Sequence, residues 1–561
     1  MEINNFEEPI KTNILNWLNG PLDETTKTEI LKLLKENPQE LKEAFLHNLS
    51  FGTAGARGLM GVGINRFNIY TIRAMTQGLA NYLIKQKINK PVVIGFDNRN
   101  NSNLFAKEAA RVLSGNNIKT FLFKELRPSP IVSFTCRYKK CAAAIMITAS
   151  HNPPKYNGFK VYWQDGAQII PPHDKGIIEE VKKITNWQDI KLSELNSKLI
   201  IYLNEEMDNA YLKSLETLKT NKQQKELKIV YTNLHGTGIT MIPKALNNWG
   251  FSEIFFVEEQ KTTDGNFPNA PIPNPEDPQA LQLGLKLLQE KKADLLIATD
   301  PDADRIAIAI QHDEKQYIFN GNQIACLLFN YILQYSTRKK NDAIIKSIVT
   351  TELLKEMAKQ NNIACFNVLT GFKYIAELME KWQQDKSYQF LLGAEESYGY
   401  LVEDFVRDKD SISAACFLSS YAEIAKKENK NLLDILHEIY KKYGLYQEDL
   451  LSLKFDDTKE GYDKMNSIMQ TLRTTPPKTI ANIAITSIED YKTQNTSLPK
   501  TDMLIFNLSD MSKIIIRPSG TEPKMKIYLN TVEKNFTTID EGITICQNKL
   551  KILKNTLKAM L

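Results

Sequence analysis

The stretch that decides the fold is PVVIGFDNRNNSNLFAKEAARVLSGNNIKTFLFKELRPSPIVSFTCRYKKCAAAIMITASHNPP, residues 91–154. Short apolar runs at 91–97, 118–123 and 141–148 have the length and composition of buried strands. The segment 104–115, LFAKEAARVLSG, has its apolar residues at helical spacing and separates the first two strands. Strands that alternate with helices in this way predict a parallel β-sheet covered by helices on both faces.

The alternation of strands and helices recurs twice after residue 226. The second block runs from LKIVYTN at 227–233 to DLLIATD at 294–300, and the third from GNQIACLLFNYILQ at 321–334 to YQFLLGAEES at 388–397. The blocks are similar in pattern and not in residue identity. The last segment combines the apolar runs MLIFNLS, SKIIIRPSG and MKIYLN with a terminal helix, which is typical of an α+β domain.

These patterns predict an α/β protein with three similar domains of mixed or parallel sheets, followed by one α+β domain. Residues 1–50 predict a polar helical extension that is broken at Pro38. The polar stretch 183–226 is interpreted as a linker with helices. The expected domains are 51–195, 196–312, 313–445 and 446–561.

Composition excludes several classes of protein. The chain has 561 residues, of which 42% are hydrophobic and 24% charged, as in ordinary globular proteins. The net charge of +5 arises from 71 basic and 66 acidic residues, and this excess does not predict nucleic-acid binding. Six scattered cysteines without a CxxC pair support neither a zinc nor a redox site. Without an apolar leader or an 18-residue apolar run, we expect a cytoplasmic protein that does not bind membranes.

A first polar loop, Thr148–Pro154, follows the apolar run CAAAIMI and reads TASHNPP. Hydroxyl, imidazole and amide groups gather there where a buried strand reaches the surface, although a polar turn ended by prolines explains them equally well. The GxSxG pattern of an esterase is absent. Neighbouring residues of an extended chain point to opposite sides, so Ser150 and His151 are not expected to form a simple pair.

A second loop, DPDADR at 300–305, carries three carboxylates at alternate positions after the apolar run DLLIAT. Carboxylates this close repel one another unless a cation lies among them, and hard oxygen ligands favour Mg²⁺ or Ca²⁺. An EF-hand is excluded because its sixth and twelfth positions would be Arg305 and Gln311. The alternative is a solvated acidic turn, which the flanking apolar runs disfavour.

Two further loops follow apolar runs. GAEESYGY at 393–400 offers carboxylates and hydroxyls that suit sugar hydroxyls, and a capped helix start is an equal alternative. RPSGTEP at 517–523 offers a guanidinium, two hydroxyls and close backbone N–H groups, which together suit an anion. A simple turn remains the alternative for this last loop.

Together, TASHNPP, DPDADR, GAEESYG and RPSGTEP resemble, in order and spacing, the motifs of the α-D-phosphohexomutase superfamily, which includes phosphoglucomutases and phosphomannomutases. The resemblance extends from about residue 51 to the C-terminus and is closest to long bacterial phosphoglucomutases. It implies four domains, of which the fourth has a TATA-binding-protein-like fold, and each domain contributes one loop to a central cleft. The chain departs from some members at Gly399-Tyr400, where they have Gly-His, and also at Ala394 and Tyr398.

The resemblance implies a phosphorylated serine at Ser150. It implies that Asp300, Asp302 and Asp304 bind Mg²⁺ together with an oxygen on Ser150. It also implies that His151 takes part in proton transfer. In this mechanism the phosphoserine passes its phosphoryl group to a sugar monophosphate, and the bisphosphate turns over and returns its other phosphate to the serine.

The resemblance also implies a set of residues that contact substrate. The basic residues Arg57 and Lys160 are expected near the transferred phosphate. Glu395 and Ser397 are expected to bind sugar hydroxyls, and residues 517–521 the phosphate that does not react. The implied substrate contacts are Arg305, Thr370, Gly371, Lys373, Glu395, Ser397, Lys409, Arg517, Ser519, Gly520 and Thr521.

The favoured reaction is interconversion of α-D-glucose 1-phosphate and glucose 6-phosphate, with glucose 1,6-bisphosphate as intermediate and activator. Mannose and pentose phosphates remain open, because the same phosphate cradle accepts them. A phosphatase and a non-catalytic sugar-phosphate sensor are the alternatives from other classes. The expected partners are therefore small sugar phosphates, and the expected state is a monomer or a weak dimer.

Overall fold

The structure, a computed structural model, describes residues 3–49, 51–52, 55–220, 225–313, 315–456, 458–494, 496, 498–519 and 523–561. These residues form two compact units. The first unit comprises residues up to Asn320 together with Ala376–Asp385 and Ser397–Ile424. The second comprises Gly321–Ile375, Lys386–Glu396 and Ala425–Leu561. Within the described residues, no helix combines the length and the apolar composition that crossing a membrane requires.

The N-terminal extension is helical, as predicted. Its helices are α1 (Ile10–Leu18), α2 (Glu24–Glu36) and α3 (Pro38–Leu46). Pro38 is the first residue of α3, where its missing N–H costs no helical hydrogen bond, and the side chain of Asn37 caps that helix. Trp17 and Phe45 are buried in a shared apolar cluster that also includes Tyr70 of the following domain. The extension is therefore packed onto the first α/β domain.

The first sheet contains seven strands. The elements around it are β1 (Phe51–Gly52), β2 (Gly55–Leu59), α4 (Ile69–Lys85), β3 (Val92–Phe96), α5 (Ser102–Gly115), β4 (Thr120–Phe123), α6 (Ser129–Tyr138), β5 (Ala143–Ile147), β6 (Tyr156–Trp163), α7 (His173–Lys182), β7 (Ile200–Leu203) and α8 (Glu206–Glu216). The strand order is β1-β2-β6-β5-β3-β4-β7. Strands β5, β3, β4 and β7 run parallel, whereas β6 pairs antiparallel with β5, and β2 pairs antiparallel with β6, so the sheet is mixed.

Two parts of this domain differ from the sequence interpretation. Helix α6 was not predicted, because its apolar residues are interrupted by polar ones that are also buried. The stretch 183–226, interpreted as a linker with helices, contains β7, which was not predicted and which pairs with β4 at the edge of the first sheet. Its helix α8 agrees with the interpretation, and there Asp208 accepts a hydrogen bond from Arg127 at 2.8 Å. A short strand with exposed residues, such as Tyr202, gives little signal in the sequence.

The second sheet lies in the same unit. Its elements are β8 (Ile229–Thr232), α9 (Ile242–Asn248), β9 (Ile254–Phe256), α10 (Glu258–Lys261), α11 (Gln282–Glu290), β10 (Leu295–Thr299), β11 (Ile306–His312) and β12 (Lys315–Ile318). The order is β12-β11-β10-β8-β9. Strands β10, β8 and β9 are parallel and β11 is antiparallel to β10. The acidic loop 300–305 is the connection between β10 and β11.

The third α/β block follows the same plan. Its elements are α12 (Gly321–Tyr335), β13 (Asp342–Ser347), α13 (Leu353–Gln360), β14 (Ala364–Val368), α14 (Phe372–Asp385), β15 (Gln389–Glu395), β16 (Gly399–Leu401), α15 (Ser411–Lys427) and α16 (Leu432–Tyr443). In the second unit, β13 pairs in parallel with β14 and β15. Strand β16 and most of α15 belong to the first unit.

The C-terminal domain has an antiparallel sheet, as its α+β pattern predicted. Its elements are β17 (Leu445–Lys454), α17 (Lys459–Thr474), β18 (Thr479–Ile480), β19 (Ile483–Asp490), β20 (Leu504–Leu508), β21 (Lys513–Pro518), β22 (Lys524–Glu533) and α18 (Ile539–Met560). The order is β17-β22-β21-β20-β19-β18, with antiparallel neighbours. Helices α17 and α18 contribute Met469 and Leu553 to a core that includes Phe506 and Ile527 of the sheet.

Candidate active site

Ser150 lies immediately beyond the carboxyl end of β5, in a left-handed backbone conformation with φ of +52°. Its side chain is buried, and its N–H donates to Thr148 Oγ1 at 2.8 Å. The hydroxyl lies 3.2 Å from His151 Nδ1, so the expectation that these neighbours point apart was wrong. That expectation assumed an extended chain, whereas the positive φ turns the backbone at Ser150.

A buried arginine holds the loop that carries Ser150. Arg99 Nη2 donates to the carbonyl oxygen of Ser150 at 2.5 Å and to that of Asn152. Its Nη1 donates to the carbonyl oxygens of Pro153 and Tyr156 at 2.9 and 3.0 Å. Burial lowers the pKa of Arg99, and the nearby carboxylate of Asp97 opposes this effect. The sequence interpretation missed Arg99, although its position after the buried strand β3 was a usable signal.

The three carboxylates of the second loop converge, as the spacing predicted. One side-chain oxygen from each of Asp300, Asp302 and Asp304 lies within 4.8 Å of the others, and all three residues are buried. Asp300 Oδ1 accepts hydrogen bonds from the N–H groups of Asp304 and Arg305 at 3.1 and 3.0 Å. Ala303 has a φ of +51°, which bends the loop tightly enough to bring alternate side chains to one side.

The serine loop and the acidic loop meet through one hydrogen bond. Ser150 Oγ donates to Asp300 Oδ2 at 2.7 Å. Burial raises the pKa of Asp300 well above its ordinary value, and the charges of Asp302 and Asp304 raise it further. A buried hydroxyl therefore lies next to a cluster of three buried carboxyl groups.

The carboxylate cluster fits a divalent cation. Asp302 Oδ1 and Asp304 Oδ1 are buried and have no hydrogen-bond partner among the described residues. Buried carboxylate oxygens without donors are unfavourable in proteins unless a cation compensates them. Three carboxylates and a hydroxyl are also the hard oxygen ligands that Mg²⁺ prefers.

Two lysines neutralise part of this charge. Lys160 Nζ lies 2.6 Å from Asp302 Oδ2 and 3.1 Å from Asp304 Oδ2, and Lys409 Nζ lies 3.1 Å from Asp304 Oδ2. Burial lowers the pKa of Lys160, but the charges of Asp302 and Asp304 outweigh it and the net shift is upward. For Asp302, burial raises the pKa, and the charge of Lys160 outweighs it and holds the pKa below its ordinary range. Lys160 is therefore a cation next to Asp302 at neutral pH.

Three more predicted residues, His151, Arg57 and Arg305, contact the serine loop or the acidic loop. Burial and the charges of Arg305 and Arg57 hold the pKa of His151 well below its ordinary value, so the imidazole is neutral at neutral pH. Arg57 Nη1 donates to Asn152 Oδ1 at 3.3 Å and is exposed. Arg305 pairs with Glu276. Ser397 lies in the turn between β15 and β16.

Hydroxyls from outside the acidic loop hold it in place, and the sequence interpretation missed them. Ser129 Oγ donates to Asp302 Oδ2 at 2.7 Å, and Ser411 Oγ donates to the carbonyl oxygen of Ala303 at 2.6 Å. The segment 235–238 also supports the loop, since Thr237 N–H and Oγ1 both donate to the carbonyl oxygen of Pro301. None of these contacts has a local sequence signal.

A second group of predicted residues lies in the second unit. Glu395 Oε1 accepts a hydrogen bond from the N–H of Gly371 at 2.7 Å, and Gly371 has a φ of +117°, which favours glycine. Arg517 Nη1 donates to Thr370 Oγ1. Lys373 is buried, with its Nζ 5.0 Å from the ring centroid of Tyr374.

The loop after β21 is described in part. The N–H of Ser519 donates to the carbonyl oxygen of Lys524 at 2.7 Å. Gly520 and Thr521 lie outside the described residues. Arg517 and Ser519 therefore lie at the end of β21, a strand whose isoleucines are buried.

Comparison with known proteins identifies the family. Three protein-family models match the chain. They describe the phosphoglucomutase/phosphomannomutase alpha/beta/alpha domains I, II and III, and they match residues 48–188, 209–314 and 320–443, respectively. The phosphoglucomutase of Staphylococcus haemolyticus is 38% identical over 518 residues, which cover 90% of this chain and 94% of the relative. A phosphoglucomutase of Staphylococcus aureus is 38% identical over 519 residues, which cover 90% of this chain and 93% of the relative. The chain therefore belongs to the phosphoglucomutase/phosphomannomutase family.

Solved structures share the fold at lower identity. A putative phosphomannomutase from Thermus thermophilus has a TM-score of 0.67 and 20% identity, and the match covers 90% of this chain and 99% of that one. The pp63/parafusin protein of Paramecium, described as a phosphoglucomutase in an open form, has a TM-score of 0.66 and 19% identity, with coverage of 90% and 95%. At these identities the likeness shows the fold alone.

Proposed function

We propose that this protein interconverts α-D-glucose 1-phosphate and glucose 6-phosphate, through a phosphorylated Ser150 and a glucose 1,6-bisphosphate intermediate. The observation that carries the proposal is the 2.7 Å contact between Ser150 Oγ and Asp300 Oδ2 within a cluster of three buried carboxylates. The family membership and the phosphoglucomutase names of relatives at 38% identity support the choice of reaction and sugar.

The proposed cation is Mg²⁺, held by Asp300, Asp302, Asp304 and an oxygen on Ser150. When bound, it would stabilise negative charge on the transferred phosphoryl group. The two buried carboxylate oxygens without hydrogen bonds support this assignment, because a bound metal ion would compensate them.

The basic residues are proposed to act on the transferred phosphoryl group. Lys160 and Arg57 would bind its oxygens, since ammonium and guanidinium groups form short, charge-assisted bonds with phosphate. Burial of Ser150 excludes water, which favours transfer to a sugar hydroxyl over hydrolysis. The neutral imidazole of His151 would accept the proton of the attacking hydroxyl.

The residues of the second unit are proposed to bind the rest of the substrate. Glu395 and Ser397 would bind sugar hydroxyls. Arg517 and Ser519 would hold the phosphate that does not react, together with Gly520 and Thr521. The remaining proposed contacts are Arg305, Thr370, Gly371, Lys373 and Lys409. Support comes from the matching motifs and from the buried positions of Glu395 and Lys373.

The organisation of the protein is proposed as well. We place the domain boundaries at 51–195, 196–312, 313–445 and 446–561, after the extension at 1–50. We propose that the protein works in the cytoplasm as a monomer or a weak dimer, with small sugar phosphates as its partners. All six cysteines are free and five are buried, which supports a reducing compartment.

The proposal is tested by parallel assays on purified protein with Mg²⁺ and trace glucose 1,6-bisphosphate. Glucose 1-phosphate should be converted faster than mannose 1-phosphate and ribose 1-phosphate. Ser150→Ala should lose mutase activity by about 10³-fold or more, because it removes the acceptor oxygen. Ser114→Ala, which changes another buried serine of the same domain whose hydroxyl donates to Ser197, should keep the activity. Mass spectrometry should find the phosphate on the peptide that contains TASHNPP.

Three results would contradict the proposal. Near-normal turnover by Ser150→Ala, or phosphate mapped to another residue, would exclude the phosphoserine. Faster conversion of mannose or ribose 1-phosphate would assign another sugar to the same mechanism. Stoichiometric release of inorganic phosphate would indicate a phosphatase.

A further inference from the structure

Ser129, at the start of helix α6, contacts one of the three clustered aspartates twice. Its hydroxyl donates to Asp302 Oδ2 at 2.7 Å, and its N–H donates to the carbonyl oxygen of Asp302 at 2.9 Å. The two residues are 173 positions apart in the chain. Ser129 is fully buried, so water does not compete for either bond.

The second contact uses a backbone N–H from the first turn of helix α6. The N–H groups in the first turn of a helix have no partner within the helix. The N–H of Ser129 finds its partner in the acidic loop, and the positive end of the α6 dipole also favours a carboxylate at this place. The start of α6 therefore binds both the backbone and the side chain of Asp302.

The two carboxylate oxygens of Asp302 have different surroundings. Oδ2 accepts from Ser129 and from Lys160, at 2.7 and 2.6 Å. Oδ1 is buried and has no hydrogen-bond partner among the described residues. With Oδ2 held on one side, rotation of the carboxylate is restricted and Oδ1 stays available as a ligand.

We propose that Ser129 is a positioning residue that orients Asp302 for a divalent cation. Lys160 supplies charge to the same oxygen, but its flexible stem fixes direction less well than a hydroxyl on a helix that also bonds the loop backbone. Hydrogen-bonding partners of metal ligands of this kind typically account for about 10–100-fold in metal affinity. The inference rests on the cation site of the proposed function and not on the choice of sugar.

The test measures cation binding directly, with unphosphorylated protein and Mn²⁺ as a paramagnetic probe, and repeats it with Mg²⁺ by calorimetry. Ser129→Ala should raise the Mn²⁺ dissociation constant about 10–100-fold. Ser129→Thr, which keeps the hydroxyl, should stay within about 3-fold of the wild type. Thr135→Val is the matched control, because Thr135 is buried in the same helix and its hydroxyl bonds only the carbonyl oxygen of Ile131.

A second variant guards against misfolding. Ser129→Cys nearly keeps the volume and replaces a strong donor by a weak one, so it should fold and still bind Mn²⁺ more weakly. In steady-state assays, high Mg²⁺ should restore the turnover of both weakened variants, which a general loss of structure would not allow. Unchanged Mn²⁺ affinity in Ser129→Cys and Ser129→Ala would overturn the inference. If Asp302→Ala kept the wild-type Mn²⁺ affinity, Asp302 would not be a cation ligand, and the cation site of the proposed function would be wrong.

Discussion

Ser150 and Asp300, which are 150 positions apart, are joined by a hydrogen bond of 2.7 Å between Oγ and Oδ2. The serine lies three residues beyond a strand of the first sheet, and the aspartate directly follows a strand of the second. Polar residues at the carboxyl ends of parallel strands are the usual place for a ligand site in α/β proteins. This contact combines two such ends into one buried centre, which supplies both a nucleophile and an acidic cluster.

Replacement of Asp300 by Asn should affect the free energy of unfolding and the binding of the cation differently. The three carboxylates lie within 4.8 Å of one another, and without a cation they repel. Asp300→Asn should therefore leave the free energy of unfolding of the metal-free protein unchanged or higher, while Mg²⁺ binding and turnover fall by at least about 100-fold. Urea titration and calorimetry check the two parts. Asp189→Asn, at an exposed position, should change neither, and full Mg²⁺ affinity in Asp300→Asn would contradict the ligand assignment.

Arg517→Ala should weaken substrate binding more than it slows catalysis. Loss of hydrogen bonds to a charged phosphate costs about 1.5–3 kcal/mol, which is roughly a 10–150-fold rise in KM. Steady-state kinetics with glucose 1-phosphate measures the effect. Arg473→Ala is the control in the same domain, because Arg473 pairs with Asp490 and Asp502. Arg473→Ala should lower Tm and leave KM unchanged. If Arg517→Ala also left KM unchanged, the phosphate that does not react would have to bind elsewhere.

Arg99→Met should damage both stability and turnover. It leaves Asp97 as a buried carboxylate without its partner and removes donors from four carbonyl oxygens. Breaking a buried ion pair costs about 3–5 kcal/mol. Urea unfolding should show that loss, and kcat should fall because Ser150 is no longer held.

Arg73→Met is the matched control for Arg99. Arg73 pairs with Glu108 at 2.6 Å in the same domain, in contact with no residue of the serine loop. It should lower stability and keep kcat. If Arg99→Met kept the wild-type kcat in its folded fraction, Arg99 would be shown to stabilise the domain only.

The stability of the first unit should depend on pH through Glu403. Burial and the neighbouring Asp410 raise the pKa of Glu403 well above its ordinary value of 4.5. The folded protein therefore keeps a proton that the unfolded chain loses, so stability falls as pH rises from about 4.5 through the folded pKa. Glu403→Gln, which is neutral at every pH, should reduce this slope by up to about 1.4 kcal/mol per pH unit.

Urea unfolding at pH 5, 6, 7 and 8 measures the slope for Glu403→Gln. Glu216→Gln, an exposed residue of the same unit, should reproduce the wild-type profile. A Glu403→Gln slope equal to that of the wild type would show that the carboxyl is already ionised at pH 5.

Features that depend on residues close together in the chain could be predicted from the sequence. Buried strands are short apolar runs, and the polar residues after β5, β10 and β15 are visible directly from the chain. The convergence of Asp300, Asp302 and Asp304 also follows from their alternate spacing. Helix α6 and strand β7 were missed because buried polar residues and exposed apolar ones obscure their periodicity.

Features that depend on tertiary contacts were not predicted. The contact between Ser150 and His151 required a left-handed backbone at Ser150, which nothing in the residue type indicates. The roles of Arg99, Ser129 and Ser411 arise from bonds to residues more than 50 positions away. Such partners are set by packing of whole elements, so a linear pattern does not contain them.

The bonds of Arg99 to the serine loop end on main-chain carbonyl oxygens, and this has an evolutionary consequence. A guanidinium that binds carbonyl oxygens is indifferent to which side chains the loop carries. Substitutions at Asn152 or Tyr156 can therefore accumulate without altering the path of the backbone at Ser150. The scaffold and the chemistry of this loop are free to diverge separately, and a designer could vary the loop's side chains while leaving its anchor untouched.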